Sequence, residues 1–223
     1  GTHVAGIVAS VAPRAKLMAL RIHDAQGSTN TGAILRALKY AQQMGASITN
    51  NSYGGPAASY ALQEAFNDFP ALHVMAAGNT GKNNDFHKHY PSNFDIPNKL
   101  VVAASDAEDK KAEFSNYGMR QVDIAAPGDQ IYSTLKDGYF GYKNGTSMAA
   151  PMAAGSAAQV LSRKPEMTPG QLKAHLKNSA DKLDNWRGTV SSGARLNTGR
   201  ACSEIFPNPS VDSKEHRRHK ENP

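Results

Sequence analysis

Among the side chains able to do covalent chemistry, Ser147 has the most informative surroundings. It stands in Asn144, Gly145, Thr146, Ser147, Met148, Ala149, Ala150, Pro151, ahead of a run of small residues through Ala158. Glycine before the serine permits a tight approach, the small residues after it read as a buried helix, and proline is tolerated in a helix's first turn. A serine at such a helix start lies beside unpaired backbone N–H groups and the positive end of the helix dipole. Both favour an anion developing next to its oxygen, as a nucleophile's reaction requires. The same octapeptide suits a serine that only caps a buried helix.

Two more segments place polar residues among glycines. Ala76, Ala77, Gly78, Asn79, Thr80, Gly81 closes an apolar run at the strand end where open α/β sheets hold ligands. An asparagine between glycines is equally an ordinary turn residue. Asn51, Ser52, Tyr53, Gly54, Gly55, Pro56 also follows a strand-like run and by itself is a glycine-rich turn. His87 and His89 flank Lys88, but two histidines with no partner motif read as a polar loop rather than a metal site. Asn83, Asn84 and Asp85 offer oxygens for a structural calcium ion, and serve equally well as solvated loop polars.

The elements that must position these residues alternate between apolar β-rich runs and helical patterns, as in a parallel sheet with helices on its faces. The expected strands are 15–22, 46–51, 72–77, 100–104, 122–125 and 131–134. Helices are expected over 31–44, where Ile34, Leu35, Leu38 and Ala41 share a face and Gly45 terminates, and over 57–69, stopped by Pro70. Thr168, Pro169, Gly170, Gln171 reads as a capping box opening an amphipathic helix through Leu172 and Leu176. After Cys202 the composition turns charged and proline-rich, so the expected organisation is one domain over 1–202 and a flexible polar tail over 203–223.

In these blocks and in their order, the chain resembles the subtilisin-like serine peptidases from Gly1 to about Ala201. The resemblance implies a three-layer α/β domain with a mostly parallel central sheet, and an endopeptidase that needs no cofactor for its chemistry. Ser147 would be the nucleophile, and Asn79 would join the Ser147 N–H in an oxyanion hole. Gly27 and Ser28 on one edge, with Ser52, Tyr53 and Gly54 on the other, would hold an extended polypeptide as an added strand. Ala76, Ala77 and Gly78 would wall the pocket for the side chain before the scissile bond, their small size leaving room for a large apolar group. The blocks Phe114 to Gly118 and Ala125 to Gly128 also match and are assigned to turns.

The opening Gly1, Thr2, His3, Val4, Ala5, Gly6 resembles the start of the family's active-site helix. In that family the general-base histidine stands directly before the position of Gly1, with its orienting aspartate further upstream. The chain as given is therefore expected to lack both and to be inactive by itself, and His3 matches a second, non-catalytic histidine. The short link from Val8 to Pro13 leaves no room for the calcium-binding loop that many members insert there. The resemblance also implies polypeptide substrates, an inhibitory propeptide, a monomer and a secreted or secretory-pathway location. A groove retained only to bind peptides, without catalysis, is the alternative.

Composition is consistent with this and excludes other classes. A chain of 223 residues with 39% hydrophobic content can bury one large core. The net charge of +6 is scattered, with part of it between Lys214 and Lys220, and forms no basic stripe interleaved with aromatics, so nucleic acid is not an expected partner. No apolar run approaches the length of a membrane span. The single cysteine, Cys202, rules out an internal disulfide framework. Asp24 to Ser28 contains one glycine and lacks a dinucleotide-binding fingerprint.

Overall fold

The computed structural model describes residues 1–205. Its centre is a six-stranded sheet in the order β1-β2-β3-β4-β8-β7. The strands are β1 (Ile48–Asn51), β2 (Leu72–Ala76), β3 (Lys99–Ser105), β4 (Ile124–Pro127), β7 (Asp181–Lys182) and β8 (Ala194–Arg195). All neighbours run parallel except β7 and β8. A separate antiparallel hairpin joins β5 (Ile131–Thr134) to β6 (Phe140–Lys143).

Alternating side chains on the central strands serve two different cores. Leu72, Val74 and Ala76, with Leu100, Val102 and Ala104, face α4 (Thr146–Arg163) and α5 (Pro169–Asn178). Met75 and Ala77, with Val101 and Ala103, face α2 (Thr31–Gln43) and α3 (Tyr60–Asn67). Burial on both faces is why these strands read as continuous apolar runs. The small residues of α4 let it lie deep against the sheet, with Ala149, Ala150, Ala153 and Ala157 fully buried. On its other side α4 meets α1 (Thr2–Val11), where a Cβ at Gly155 would come within 2.7 Å of the Val11 Cβ.

Local signals set most boundaries. Asn30 caps α2 by accepting from Ala33 N at 2.9 Å, and Gly45 follows its end with φ 71°. Thr168 and Gln171 exchange the two capping-box bonds, and Pro169 opens α5. The helix expected from residue 57 starts only at Tyr60, because Ser59 caps it.

Three expectations need correction. No strand forms over 15–22: β1 is the outer strand on its side and pairs only with β2 among the described residues, so this extended segment has no ladder to join. Leu17 and Met18 are 50% and 41% exposed there. Pro151 is not in the first turn of α4 but is its sixth residue. Strands β6, β7 and β8 and the short helix α6 (Thr198–Ser203) carry no periodic pattern in the sequence. Of the tail expected over 203–223, Ser203 closes α6 and Ile205 packs against the core that includes α4. Residues 206–223 lie outside the described part.

Candidate active site

Both ends of the candidate site stand on backbone turns that only glycine adopts readily. Gly145, with φ 145°, precedes α4 and is anchored by its N–H to Gly128 O at 2.8 Å. Gly78, with φ 112°, follows β2, and a Cβ there would come within 2.5 Å of Asn116 Nδ2. These turns bring Asn79 and Ser147 together across 68 positions of sequence. A Cβ placed on Gly145 would lie 3.4 Å from Asn79 Nδ2 and 3.6 Å from Ser147 N, so both nitrogens border one small space left open by the missing side chain.

The orientation of the Asn79 amide follows from its partners. Its Oδ1 accepts from Thr146 N at 2.8 Å and from Thr146 Oγ1 at 2.9 Å. That leaves Nδ2 as the free end of an exposed side chain. Thr146 is buried, and its hydroxyl oxygen also accepts the Gly78 N–H at 3.1 Å, tying the β2 turn to the start of α4.

Asn116 clamps the same turn from behind. Its Oδ1 accepts from Thr80 N, Thr80 Oγ1 and Lys82 N, while its Nδ2 donates to Ala77 O and Asn84 Oδ1. Thr146 and Asn116 thus position Asn79 without touching the open space themselves. Neither role was visible in the sequence: Thr146 stood inside the serine motif with no role of its own, and Asn116 within a block assigned to turns.

Ser147 is half-buried, and its Oγ donates to Ser52 O at 3.3 Å. In return Ser52 Oγ donates to Ser147 O at 2.9 Å. Pro151 explains this second bond. The helix would satisfy Ser147 O with the N–H of residue 151, proline has none, and the Ser52 hydroxyl takes its place. Pro151 is therefore what ties the start of α4 to the loop of the expected substrate groove.

His3 is buried and directs Nε2 to Gly141 O at 3.1 Å, on β6. It makes no hydrogen bond to Ser147, and no other titratable side chain among the described residues does so either.

The groove's second edge is also ordered. Asp24 Oδ1 accepts from Gln26 N and Ser28 N, and Thr29 Oγ1 donates to Ile22 O, fixing the turn of Gly27 and Ser28. Tyr53 meets His23 edge-on at 6.3 Å between ring centroids and donates its hydroxyl to Asn51 Oδ1, while burial pushes its phenol pKa up. Ala76 and Ala77 are buried, with Gly78 at their end. The His89 ring packs between Gly54 and Gly78, next to this wall.

The oxygens suggested for calcium are already engaged. Asn83 Oδ1 accepts from Asp85 N, Asn84 Oδ1 from Asn116, and the Asp85 carboxylate from Arg120 N and Gln121 N. These three residues do not fit a calcium cage, and no group of three or more His, Cys, Asp or Glu able to hold a metal occurs among the described residues. No described helix is long and apolar enough to cross a membrane.

The model of the subtilase family matches residues 1–199. The chain belongs to the subtilase family. This subtilase chain is 36% identical to thermitase of Thermoactinomyces vulgaris, covering 90% of the chain and 74% of thermitase. It is 35% identical to the alkaline protease of Alkalihalobacillus alcalophilus, over 82% of the chain but only 50% of that protein, so it spans half the length of this relative. Among solved structures, a cold-adapted subtilisin-like serine proteinase superposes with TM-score 0.76 at 30% identity, covering 85% of the chain and 72% of the other. The subtilisin-like fold and the mostly parallel sheet agree with this subtilase assignment.

Proposed function

We propose that the chain is the greater part of a serine endopeptidase domain, with Ser147 as nucleophile and Asn79 as oxyanion donor. The observation that carries this reading is that Asn79 Nδ2 and Ser147 N border one open space beside a serine hydroxyl at a helix start. In the reaction, Ser147 Oγ attacks the peptide carbonyl carbon while its proton passes to a base. The carbonyl oxygen, now negative, is held by the Asn79 amide and the Ser147 N–H. The amine departs with a proton returned by the base, and water then splits the acyl ester in the same way.

The base and the carboxylate that orients it are assigned to sequence upstream of Gly1. His3, buried and with Nε2 on Gly141 O, is given a structural role in this reading. The chain as given is accordingly inactive in this reading, with Ser147 a neutral alcohol. No step is assigned to a cofactor. The substrates are polypeptides, an inhibitory propeptide would cover the same groove, and the intact protein is a secreted monomer.

A non-catalytic peptide-binding role is favoured by one observation, that the Ser147 hydroxyl donates to a backbone carbonyl rather than to a base. Labelling with a fluorophosphonate separates the two. The chain as given should label slowly; the same chain preceded by a segment bearing an aspartate and a histidine directly before Gly1 should label stoichiometrically at Ser147, and Ser147→Ala should not label. Fast labelling of the short chain would overturn the assignment of the base, and no labelling of the extended one would favour the binding role.

A further inference from the structure

We infer that the tips of two neighbouring loops, carrying Phe86 and Met119 among exposed cations, form a docking surface for a membrane with anionic headgroups; this stands apart from the peptidase reading. Such a contact lies on a bilayer and needs no spanning helix.

The two loops are held as one piece. Tyr117 N donates to Lys82 O at 3.1 Å, and Asn84 N to Tyr117 O at 2.7 Å. The Asp85 carboxylate accepts from Arg120 N at 3.1 Å and from Gln121 N at 3.0 Å, and a Cβ on Gly118 would meet it at 2.8 Å. Phe86 N and His87 N both donate to Asn83 O, which holds the first tip in a tight turn. Phe86 follows Asp85 and Met119 precedes Arg120, so the link between Asp85 and Arg120 sets the two apolar side chains on one stretch of surface. They are 75% and 54% exposed. The backbone beneath both is fixed, yet neither side chain gives the fold the burial that would stabilise it.

The charge around the tips is cationic and mostly unpaired. Lys82 and Lys88 are exposed and form no ion pair among the described residues. The exposed Arg120 guanidinium lies 4.0 Å from Asp85, whose carboxylate is already engaged by backbone N–H groups. Lys99, its pKa lowered chiefly by burial, also feels Lys88 as a repelling charge and donates to Gln121 Oε1 at 3.2 Å, which puts Lys88 on the Arg120 side. The exposed carboxylates nearby have cations of their own, Asp95 acting on Lys99 and Glu113 on Lys111. An excess of cations around two protruding apolar tips matches a surface that is negative at its headgroups and apolar beneath them. An acidic polypeptide in solution would match the cations alone.

The test is partition of the chain onto lipid vesicles, measured by sedimentation. Binding is expected to phosphatidylcholine vesicles containing phosphatidylserine, and not to phosphatidylcholine alone. Lys88→Ala should weaken it about fivefold, the contribution of one cation at an anionic surface. Phe86→Ser should weaken it about tenfold, through the lost burial of an inserted ring. Lys39→Ala, exposed on α2, should leave it unchanged. Trp186 is fully buried and is the only tryptophan, so Phe86→Trp adds a reporter at the tip. Its emission should move to the blue on phosphatidylserine vesicles and be quenched by lipids brominated in their acyl chains. Equal binding to both vesicle types, or unquenched emission from Phe86→Trp, would overturn the proposal. Equal losses from Lys39→Ala and Lys88→Ala would also overturn it, because net charge alone would then account for the binding. Tighter binding to polyglutamate than to the vesicles would overturn it in favour of an acidic polypeptide partner.

Discussion

At the start of β2, His73 is fully buried with both ring nitrogens paired, whereas just past its end Asn79 has its amide oxygen paired twice and its amide nitrogen open. The Nε2–H of His73 is shared by the carbonyls of Phe66 and Phe69, and its Nδ1 faces the Thr49 hydroxyl at 2.7 Å. Both residues are held by neighbours on other elements. The difference is that the satisfied group fixes the core, while the half-satisfied one keeps a free donor end, which the proposed reaction would turn towards developing charge. Six positions thus separate a polar group serving the fold from one that serves the reaction proposed above.

The largest expected effect breaks the Asn79 side of this comparison. In a form of the protein where a base reaches Ser147, Asn79→Ala should lower turnover by about 10² to 10³, the range known from the corresponding asparagine of subtilisin. The melting temperature should fall by only a few degrees, since the Nδ2 lost has no partner in the fold while the two bonds that Oδ1 accepts from buried Thr146 are lost with it. A fall of many degrees would make Asn79 a structural residue like His73. So would unchanged turnover, measured as kcat on a peptide substrate.

The His73 side should show itself in acid. Burial lowers its pKa from 6.5 to about 4, outweighing the opposite influence of the Phe69 and Phe66 carbonyls. Between those values the unfolded chain binds a proton that the folded chain refuses, so stability falls as pH drops from 6.5 to 4 and is fully present above 6.5. The loss attributable to this residue is about 3 kcal/mol. Urea unfolding at pH 7, 5.5 and 4.5 of the protein and of His73→Leu would isolate it. The gap between the two curves should narrow or reverse as the pH falls, and a constant gap would refute the assignment.

The sequence disclosed what is local. The Thr168 and Gln171 capping box, Gly45 after α2 and the apolar runs of β2 and β3 each follow from a few adjacent residues, and these suffice for the sheet and its flanking helices. What failed depended on partners. Residues 15–22 have strand composition, but composition cannot supply the neighbouring ladder. Strands β7 and β8 hold two residues each and are defined by register alone. At the site, the resemblance singled out Ser147 and Asn79, yet the residues that aim Asn79 were hidden by distance: Asn116 reaches back 39 positions to Ala77 O, and Thr146 reaches 68 to Gly78. His89 looked like one half of a weak metal motif, and only the packing of its ring between Gly54 and Gly78 distinguishes it from His87, which is exposed.

The smallest expected effect sharpens the comparison at a group that belongs to both classes. Ser52 Oγ satisfies Ser147 O, the carbonyl orphaned by Pro151, so it serves the fold as His73 does; it also fixes Ser147, the proposed nucleophile, as Thr146 fixes Asn79. Ser52→Ala leaves that carbonyl without a protein donor, and a buried acceptor so left costs about 1 to 2 kcal/mol. Replacing Pro151 by alanine restores a backbone N–H four residues on and supplies the donor from within α4. Pro151→Ala in the Ser52→Ala background should therefore recover most of the lost stability, read as the urea midpoint at constant slope. The cycle of single and double variants gives a coupling between positions 52 and 151 that direct contact would not supply, because the two act on one oxygen. Strict additivity would show that Ser147 O is hydrated in the variant and that the Ser52 bond positions the loop rather than replacing the helix bond.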